Sequence, residues 1–369
     1  MTSVSRKKIL FAINNLGIGG AESMLLEQLR AIDRDVFQPV LITLLPNPKI
    51  NLVNKVSPDI LYAPFNFLGL FDIFSWLKLW KFFRKEKFDT VVTYLFVTNL
   101  IVRMAAIVSG VRVILSNECS VYKDKHGWQI LADKILAHFT QRIFVGSTEV
   151  LEFTAKQEHL ARDKFCLNYN SIPLKLSKVK KNRKEILAEF NLPQDNFYIV
   201  TAGRLITQKG HEHLIGAADI IRKSGISNFK ILIFGQGVLE ENLKKEIISL
   251  GLEAYVKMMG ISTMEKILAI SDIFVLPSLW EGLSIALLQA MDSGSPIVAT
   301  DVSGSREAIV DGSSGLLVEP GNPEKLAAAL IGLINNERTR SKLAVGAAER
   351  VKMFSIEENV KRIEEEVLL

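Results

Sequence analysis

The 369-residue sequence predicts an α/β protein of two successive domains, each a parallel sheet with helices on both faces. Three observations carry that prediction. Short apolar runs rich in β-branched residues alternate with longer helix-like segments along the chain, which is the rhythm of parallel strands joined by helical crossovers. The length exceeds what one hydrophobic core usually serves. The rhythm is interrupted once, in a Pro- and Lys-containing stretch at about Asn170–Lys180, which divides the chain into a first domain of residues 1–172 and a second of 173–353.

The elements follow in order. Lys8–Ile13, Pro39–Leu44, Thr90–Tyr94, Val111–Leu115 and Arg142–Val145 are expected strands of the first domain. Phe197–Ala202, Phe229–Phe234, Val256–Met258, Ile273–Leu276 and Pro296–Ala299 are those of the second. The tail, about 354–369, places Ile356, Val360, Ile363 and Val367 at helical spacing, a stripe able to pack back on the first domain.

Hydrophobic residues make up 48% and charged residues 23%, as in an ordinary folded protein. Cys119 and Cys166 show neither disulfide-framework nor zinc spacing, which fits a reducing, cytoplasmic setting. The apolar run after the basic N-terminal cluster is too short for a signal segment and reads as a first strand. Asp72, Lys78 and Arg103 interrupt the longest apolar stretches, so no membrane span is expected. The net charge of +5 is unevenly placed: 21 Lys/Arg face 15 Asp/Glu in residues 1–172, against 24 and 25 in the rest.

Several turns carry candidate chemistry. After the first strand, Gly17, Gly19 and Gly20 precede a helix, where backbone N–H groups and the helix dipole favour an anion. The GxGG spacing is not the dinucleotide fingerprint, which argues against NAD. Gly203, Arg204 and Lys209 follow the strand ending at Ala202, a pair of cations suited to a diphosphate. His211 and His213 are expected on the surface of the next helix. Gly235, Gly237 and Gly260 follow two further strands. In "WEGLSIALLQ", Glu281 stands in a loop, Leu283, Ser284, Ile285 and Ala286 open a helix, and Gln289 lies on its early turns, so an acid and an amide can reach one polyhydroxylated ligand. Each turn has a purely structural reading as well, as a tight connection or a cap.

Phe71, Phe74, Trp76, Leu77, Trp80 and Phe83 alternate with Lys78, Lys81, Arg84, Lys85 and Lys87 on one amphipathic segment. Trp76, Lys78, Trp80, Lys81, Arg84 and Lys85 form the candidate membrane face. A core helix with a solvated basic end is the competing reading. Nothing in the sequence supports nucleic-acid binding.

Taken together, "GIGGAE", "GRLITQKG", "GQG" and the run from "WEGLSIALLQAMDSG" to "EPGNPEKLAAAL" resemble the retaining glycosyltransferases of family 4, most specifically over Gly203–Leu330. The resemblance implies a GT-B fold: two facing Rossmann-like domains with a cleft between them that closes on substrate. It implies that Arg204 and Lys209 hold the donor diphosphate and stabilise the departing nucleotide. Glu281 would bind hydroxyls of the donor sugar, with Leu283–Ala286 assisting. Gly203, Gly235 and Gly260 would border the nucleotide, and Gly19 and Gly20 would close over the diphosphate from the other domain. The donor implied is a nucleotide-diphosphate sugar, UDP-linked first and GDP-linked second, used without a metal or other cofactor.

Two positions depart from the family pattern. Gln289 stands where relatives usually place a ribose-binding Glu, exchanging a charge-assisted bond for a neutral one. The usual active-site His is missing after Leu115, where Asn117, Glu118 and Cys119 are the candidate sugar or acceptor contacts, with His126 further on. The acceptor implied is a glycan or polyprenyl-linked saccharide at the inner face of the plasma membrane, in surface-polysaccharide assembly. A catalytically silent scaffold and a GT-B UDP-GlcNAc epimerase remain as alternatives.

Overall fold

The computed structural model describes residues 6–119, 122, 125–176 and 182–368. The chain divides into two compact units, Met1–Pro173 with Ser355–Leu369, and Leu174–Phe354.

The first unit carries β1 (Lys7–Ile13), α1 (Gly20–Ala31), β2 (Phe37–Thr43), β3 (Leu61–Pro64), α2 (Ile73–Glu86), β4 (Thr90–Tyr94), α3 (Phe96–Val108), β5 (Val113–Glu118), α4 (Gly127–Ala137), β6 (Arg142–Val145), α5 (Thr148–Glu158) and β7 (Phe165–Leu167). Its seven strands are all parallel, in the order β3-β2-β1-β4-β5-β6-β7. The central strands are buried on both faces, which is why β1 and β4 read as nearly continuous apolar runs. β3 and β7 escape the sequence reading for a physical reason. β3 is a half-exposed edge strand ending in Pro64, and β7 is three residues long. The fifth strand runs to Glu118 rather than Leu115, so Asn117 and Glu118 belong to the sheet and not to the loop after it.

The second unit carries α6 (Arg183–Glu189), β8 (Phe197–Ala202), α7 (His211–Lys223), β9 (Phe229–Phe234), α8 (Glu240–Ser249), β10 (Val256–Gly260), α9 (Met264–Ala269), β11 (Ile273–Leu276), α10 (Ile285–Asp292), β12 (Ile297–Thr300), α11 (Ser303–Ala308), β13 (Leu316–Val318), α12 (Pro323–Ile334) and α13 (Glu337–Arg350). The six strands are parallel, in the order β10-β9-β8-β11-β12-β13. From β8 the chain builds outward to β9 and β10, and from β11 outward to β12 and β13. The loops that leave β8 and β11 therefore diverge at a topological switch point, where ligands of open α/β sheets bind.

The tail returns to the first unit as α14 (Ile356–Leu368). Ile356, Val360, Ile363 and Val367 are buried, each gaining about 2 kcal/mol relative to exposure. Asn359 lies on the same face, in a buried polar chain that fixes the register. Its Oδ1 accepts from Gln28 Nε2 at 2.7 Å, Gln28 Oε1 accepts from the Tyr94 hydroxyl at 2.7 Å, and Asn359 Nδ2 donates to Tyr169 O at 2.8 Å.

Candidate active site

The loops that follow β8, β9 and β10 are tied edge to edge by backbone bonds. Gly203 N donates to Phe234 O at 3.0 Å, Leu205 N to Gln236 O at 2.9 Å, and Gly235 N to Gly260 O at 2.8 Å. The packing needs glycine at 235, where φ is +146° and a Cβ would overlap Gly203 O. Gly210, at φ +58°, lets the β8 loop meet the β11 loop in the same way, since a Cβ there would overlap Pro277 O. Leu279 N donates to Gln208 O at 2.8 Å and Gln208 Nε2 to Trp280 O at 3.1 Å, completing the seam.

Across this seam Lys209 and Glu281 meet. Lys209 ends a 3-10 turn, Thr207–Lys209, and its Nζ pairs with Glu281 Oε2, which also accepts from Ser278 Oγ at 3.1 Å. Both side chains are largely covered, 13% and 14% exposed. Arg204 is exposed, and its guanidinium has no partner among the described residues. The rim thus presents one free cation, one cation held by a carboxylate, and the start of α10. There Ser284 is the N-cap, Leu283 and Ser284 are buried, and Ile285, Ala286 and Gln289 are half-buried. Gln289 lies one turn beyond Ile285, on the same side of the helix. The first-turn N–H groups of a helix lack intrahelical acceptors, so this end suits an anion or a hydroxyl.

His211 corrects the sequence reading. It is not on the helix surface but 1% exposed, with Nε2 3.3 Å from Arg204 O. Burial pushes its pKa down to about 4, so the ring is neutral and fixes the carbonyl of the residue carrying the free guanidinium. The signal was present in the sequence: His211 falls in register with Leu214, Ile215 and Ala218, the buried stripe of α7. His213 is half-buried, with Nε2 3.8 Å from Glu212.

In the first unit, Gly19 is the extended N-cap of α1 and Gly20 its first residue. The Glu22 carboxylate folds back over this turn, so that a Cβ on Gly19 would overlap it. The candidate contacts at the end of β5 divide. Asn117 is buried and its Nδ2 donates to Thr93 O at 3.3 Å. Glu118 is buried as well, accepting from Asn99 Nδ2 at 3.0 Å, with Lys125 Nζ 3.6 Å from its other oxygen. Both side chains have internal partners, and neither is free on the rim as the sequence reading placed it. Cys119 is half-buried; burial, and then the carboxylates of Glu118 and Glu22, push its thiol up to about 12. It is a neutral thiol near pH 7, not a nucleophile. His126 caps α4, its backbone N–H donating to Gln129 Oε1 at 2.7 Å.

Glu118, Asp133 and Glu158 converge closely enough to hold a cation. Lys125 Nζ already fills that role, 2.9 Å from Asp133 Oδ2 and 2.6 Å from Glu158 Oε1, and Arg103 Nη1 lies 3.2 Å from Asp133 Oδ1.

The candidate membrane helix, α2, buries Ser75, Leu79 and Phe83 and exposes Lys78, Trp80, Lys81, Arg84 and Lys85. Trp76 is a second correction. It turns inward, packing edge-to-face on Phe67 at 5.8 Å and donating Nε1 to Leu70 O at 2.8 Å. Phe71, Ile73, Phe74 and Leu77 are exposed in its place. Among the described residues no helix is long and apolar enough to cross a membrane.

Residues 182–350 match the family model of glycosyl transferases group 1. The chain is 27% identical over 288 residues to the UDP-Gal:alpha-D-GlcNAc-diphosphoundecaprenol alpha-1,3-galactosyltransferase of Escherichia coli, covering 72% of this chain and 71% of that protein. It is 29% identical over 287 residues to the N-acetylgalactosamine-N,N'-diacetylbacillosaminyl-diphospho-undecaprenol 4-alpha-N-acetylgalactosaminyltransferase of Campylobacter jejuni, covering 75% and 76%. In fold it is similar to HepE of Anabaena, solved with UDP-glucose, with TM-score 0.84, 19% identity and 97% and 98% coverage. TarM is similar at TM-score 0.82 and 13% identity, over the whole of both chains. With two parallel-sheet units of this topology, the chain has the GT-B fold, and its second unit matches the group 1 glycosyltransferases over residues 182–350.

Proposed function

We propose that this glycosyltransferase moves a sugar from a nucleotide-diphosphate donor, UDP-linked before GDP-linked, to a polyprenyl-diphosphate-linked saccharide, with retention of configuration. The observation that carries the donor side is the pairing of Lys209 with Glu281, in the loops that leave β8 and β11 at the switch point of the second sheet, with the exposed guanidinium of Arg204 on the same β8 loop. As the bond between the anomeric carbon and the diphosphate breaks, negative charge grows on the leaving phosphate. Arg204 and Lys209 offset that charge, the role a cation plays elsewhere, so the proposal needs no metal. Glu281 and the start of α10 orient the sugar. The acceptor hydroxyl attacks on the face that the diphosphate leaves and passes its proton to the leaving phosphate oxygen. Gln289 binds the ribose diol through its amide.

The acceptor side is supported by the names of the two relatives, both of which act on undecaprenol-diphosphate-linked sugars. The exposed basic and aromatic face of α2 supports peripheral contact with an anionic membrane, and the reaction we propose is one at the inner face of the plasma membrane in surface-polysaccharide assembly.

The test is calorimetric titration with UDP, GDP, ADP, TDP and CMP, repeated on Arg204→Ala. Selective binding of one diphosphate, weakened at least tenfold in the variant, supports the assignment. No binding to any of them would remove it, and donor binding without turnover on any lipid-linked acceptor would mark a silent scaffold instead.

A further inference from the structure

We infer that an apolar pocket in the first unit takes the isoprenoid chain of a polyprenyl diphosphate, an inference that rests on the acceptor reading above. The pocket has a volume of about 350 Å³, with walls from Phe67 and Leu70 after β3, Val97 and Leu100 at the start of α3, and Trp128 at the start of α4. Every wall comes from a segment near the carboxyl ends of the strands, the edge of an open α/β sheet where ligands bind. This is also the edge at which β5 delivers Cys119.

Three features select the occupant. Of the residues lining the pocket, only Gln129 has a polar side chain, and its Oε1 is already engaged by His126 N. A peptide laid here would leave its backbone N–H and C=O groups unpaired, whereas a hydrocarbon chain brings none. The apolar surface continues outward: Leu68 at the pocket is 91% exposed, and Phe71 and Phe74 beside it are 96% and 85% exposed. Large apolar side chains in such a cluster mark a binding surface. Lys78, Lys81, Arg84 and Lys85 stand exposed on the adjoining α2, and its only acid, Glu86, is paired with Lys8 at 2.6 Å. A hydrocarbon slot beside a row of cations complements an amphiphile with an anionic head.

Each carbon drawn from water into such a slot gains about fourfold in affinity. The full-length protein, titrated with inorganic, isopentenyl, geranyl and farnesyl diphosphates below their micelle-forming concentrations, should bind farnesyl diphosphate at least about tenfold more tightly than isopentenyl diphosphate. Val97→Trp, which fills the slot, and Leu68→Asp, a change at an exposed position that leaves the core intact, should each abolish that gain while leaving UDP binding unchanged. Farnesyl diphosphate binding no more tightly than inorganic diphosphate, or a gain that survives both substitutions, overturns the inference. So does dihexanoyl phosphatidic acid binding as tightly as farnesyl diphosphate, which would assign the slot to a phospholipid chain. If UDP fails to bind while the chain-length gain persists and both variants abolish it, the donor reading falls and the pocket stands.

Discussion

Glu281→Gln should tighten nucleoside-diphosphate binding and slow sugar transfer at the same time. Lys209 is held by Glu281, so a diphosphate that recruits Lys209 must displace the carboxylate. At an effective dielectric of about 20 the gross attraction of two unit charges 4 Å apart is about 4 kcal/mol. Desolvation and side-chain ordering offset most of it. For a pair about one-seventh exposed the net is about 1 to 2 kcal/mol, between fully exposed pairs and buried ones. Glutamine keeps the size of the side chain and its bond from Ser278 Oγ but no longer holds the ammonium. UDP should therefore bind about five- to thirtyfold more tightly to the variant. The sugar loses the other way: a hydroxyl donating to a carboxylate is worth roughly 1 to 2 kcal/mol more than one donating to an amide, so kcat/KM should fall by about tenfold or more. Calorimetry with UDP and steady-state transfer measure the two halves separately. UDP affinity unchanged or weakened in a folded Glu281→Gln protein would refute the displacement argument.

Phe74→Ser combined with Trp80→Ser should reduce binding to anionic vesicles with little change in thermal stability, whereas Trp76→Ser should lower stability by about 3 kcal/mol through lost packing on Phe67. Co-sedimentation and thermal melts distinguish them, and equal vesicle binding by the double variant and the parent would exclude α2 as the contact face. His211 has its folded pKa depressed from 6.5 to about 4, so its stabilisation is present above pH 6.5 and is lost as pH falls toward 4, at up to about 1.4 kcal/mol per pH unit. His211→Gln should flatten that acid limb in denaturant melts, and an unchanged limb would contradict the buried neutral ring.

Much of the fold is legible because a parallel sheet writes itself into sequence. β8, β9 and β11 begin and end where their β-branched runs do, since strands buried on both faces tolerate few polar residues. β3 and β7 leave no such trace, because edge strands need little apolar surface. The glycines of the second unit are legible for a steric reason, as Gly235 shows: its place against Gly203 O excludes any side chain. The pairing of Lys209 with Glu281 is not legible, because 72 residues separate them and only the pairing of β8 with β11 brings their loops together.

Glu118 shows why burial is the hardest property to read. It closes an apolar strand, so its place at the carboxyl edge suggests a group offered to a ligand. What removes it is Lys125 in the following segment, with Asp133 on α4 and Glu158 on α5, contacts set by how two helices pack and not by any local pattern. The three carboxylates face two buried cations, Lys125 and Arg103, so the group is one negative charge in excess when all are ionised. An uncompensated charge in a desolvated interior is costly, and the group relieves it by holding a proton. Glu158 accordingly has its pKa pushed up to about 7, by burial first and by Glu118 next, and Glu118 is raised for the same primary reason. The sign is opposite to that of His211. A carboxyl raised in the folded state stabilises fully below its ordinary value of 4.5, and that contribution is lost as pH rises through about 7. Acid therefore strains the second unit at His211, while the charge cluster of the first is relieved by it. The role the structure gives Glu118 is to help hold the Lys125 ammonium, together with Asp133 on α4 and Glu158 on α5.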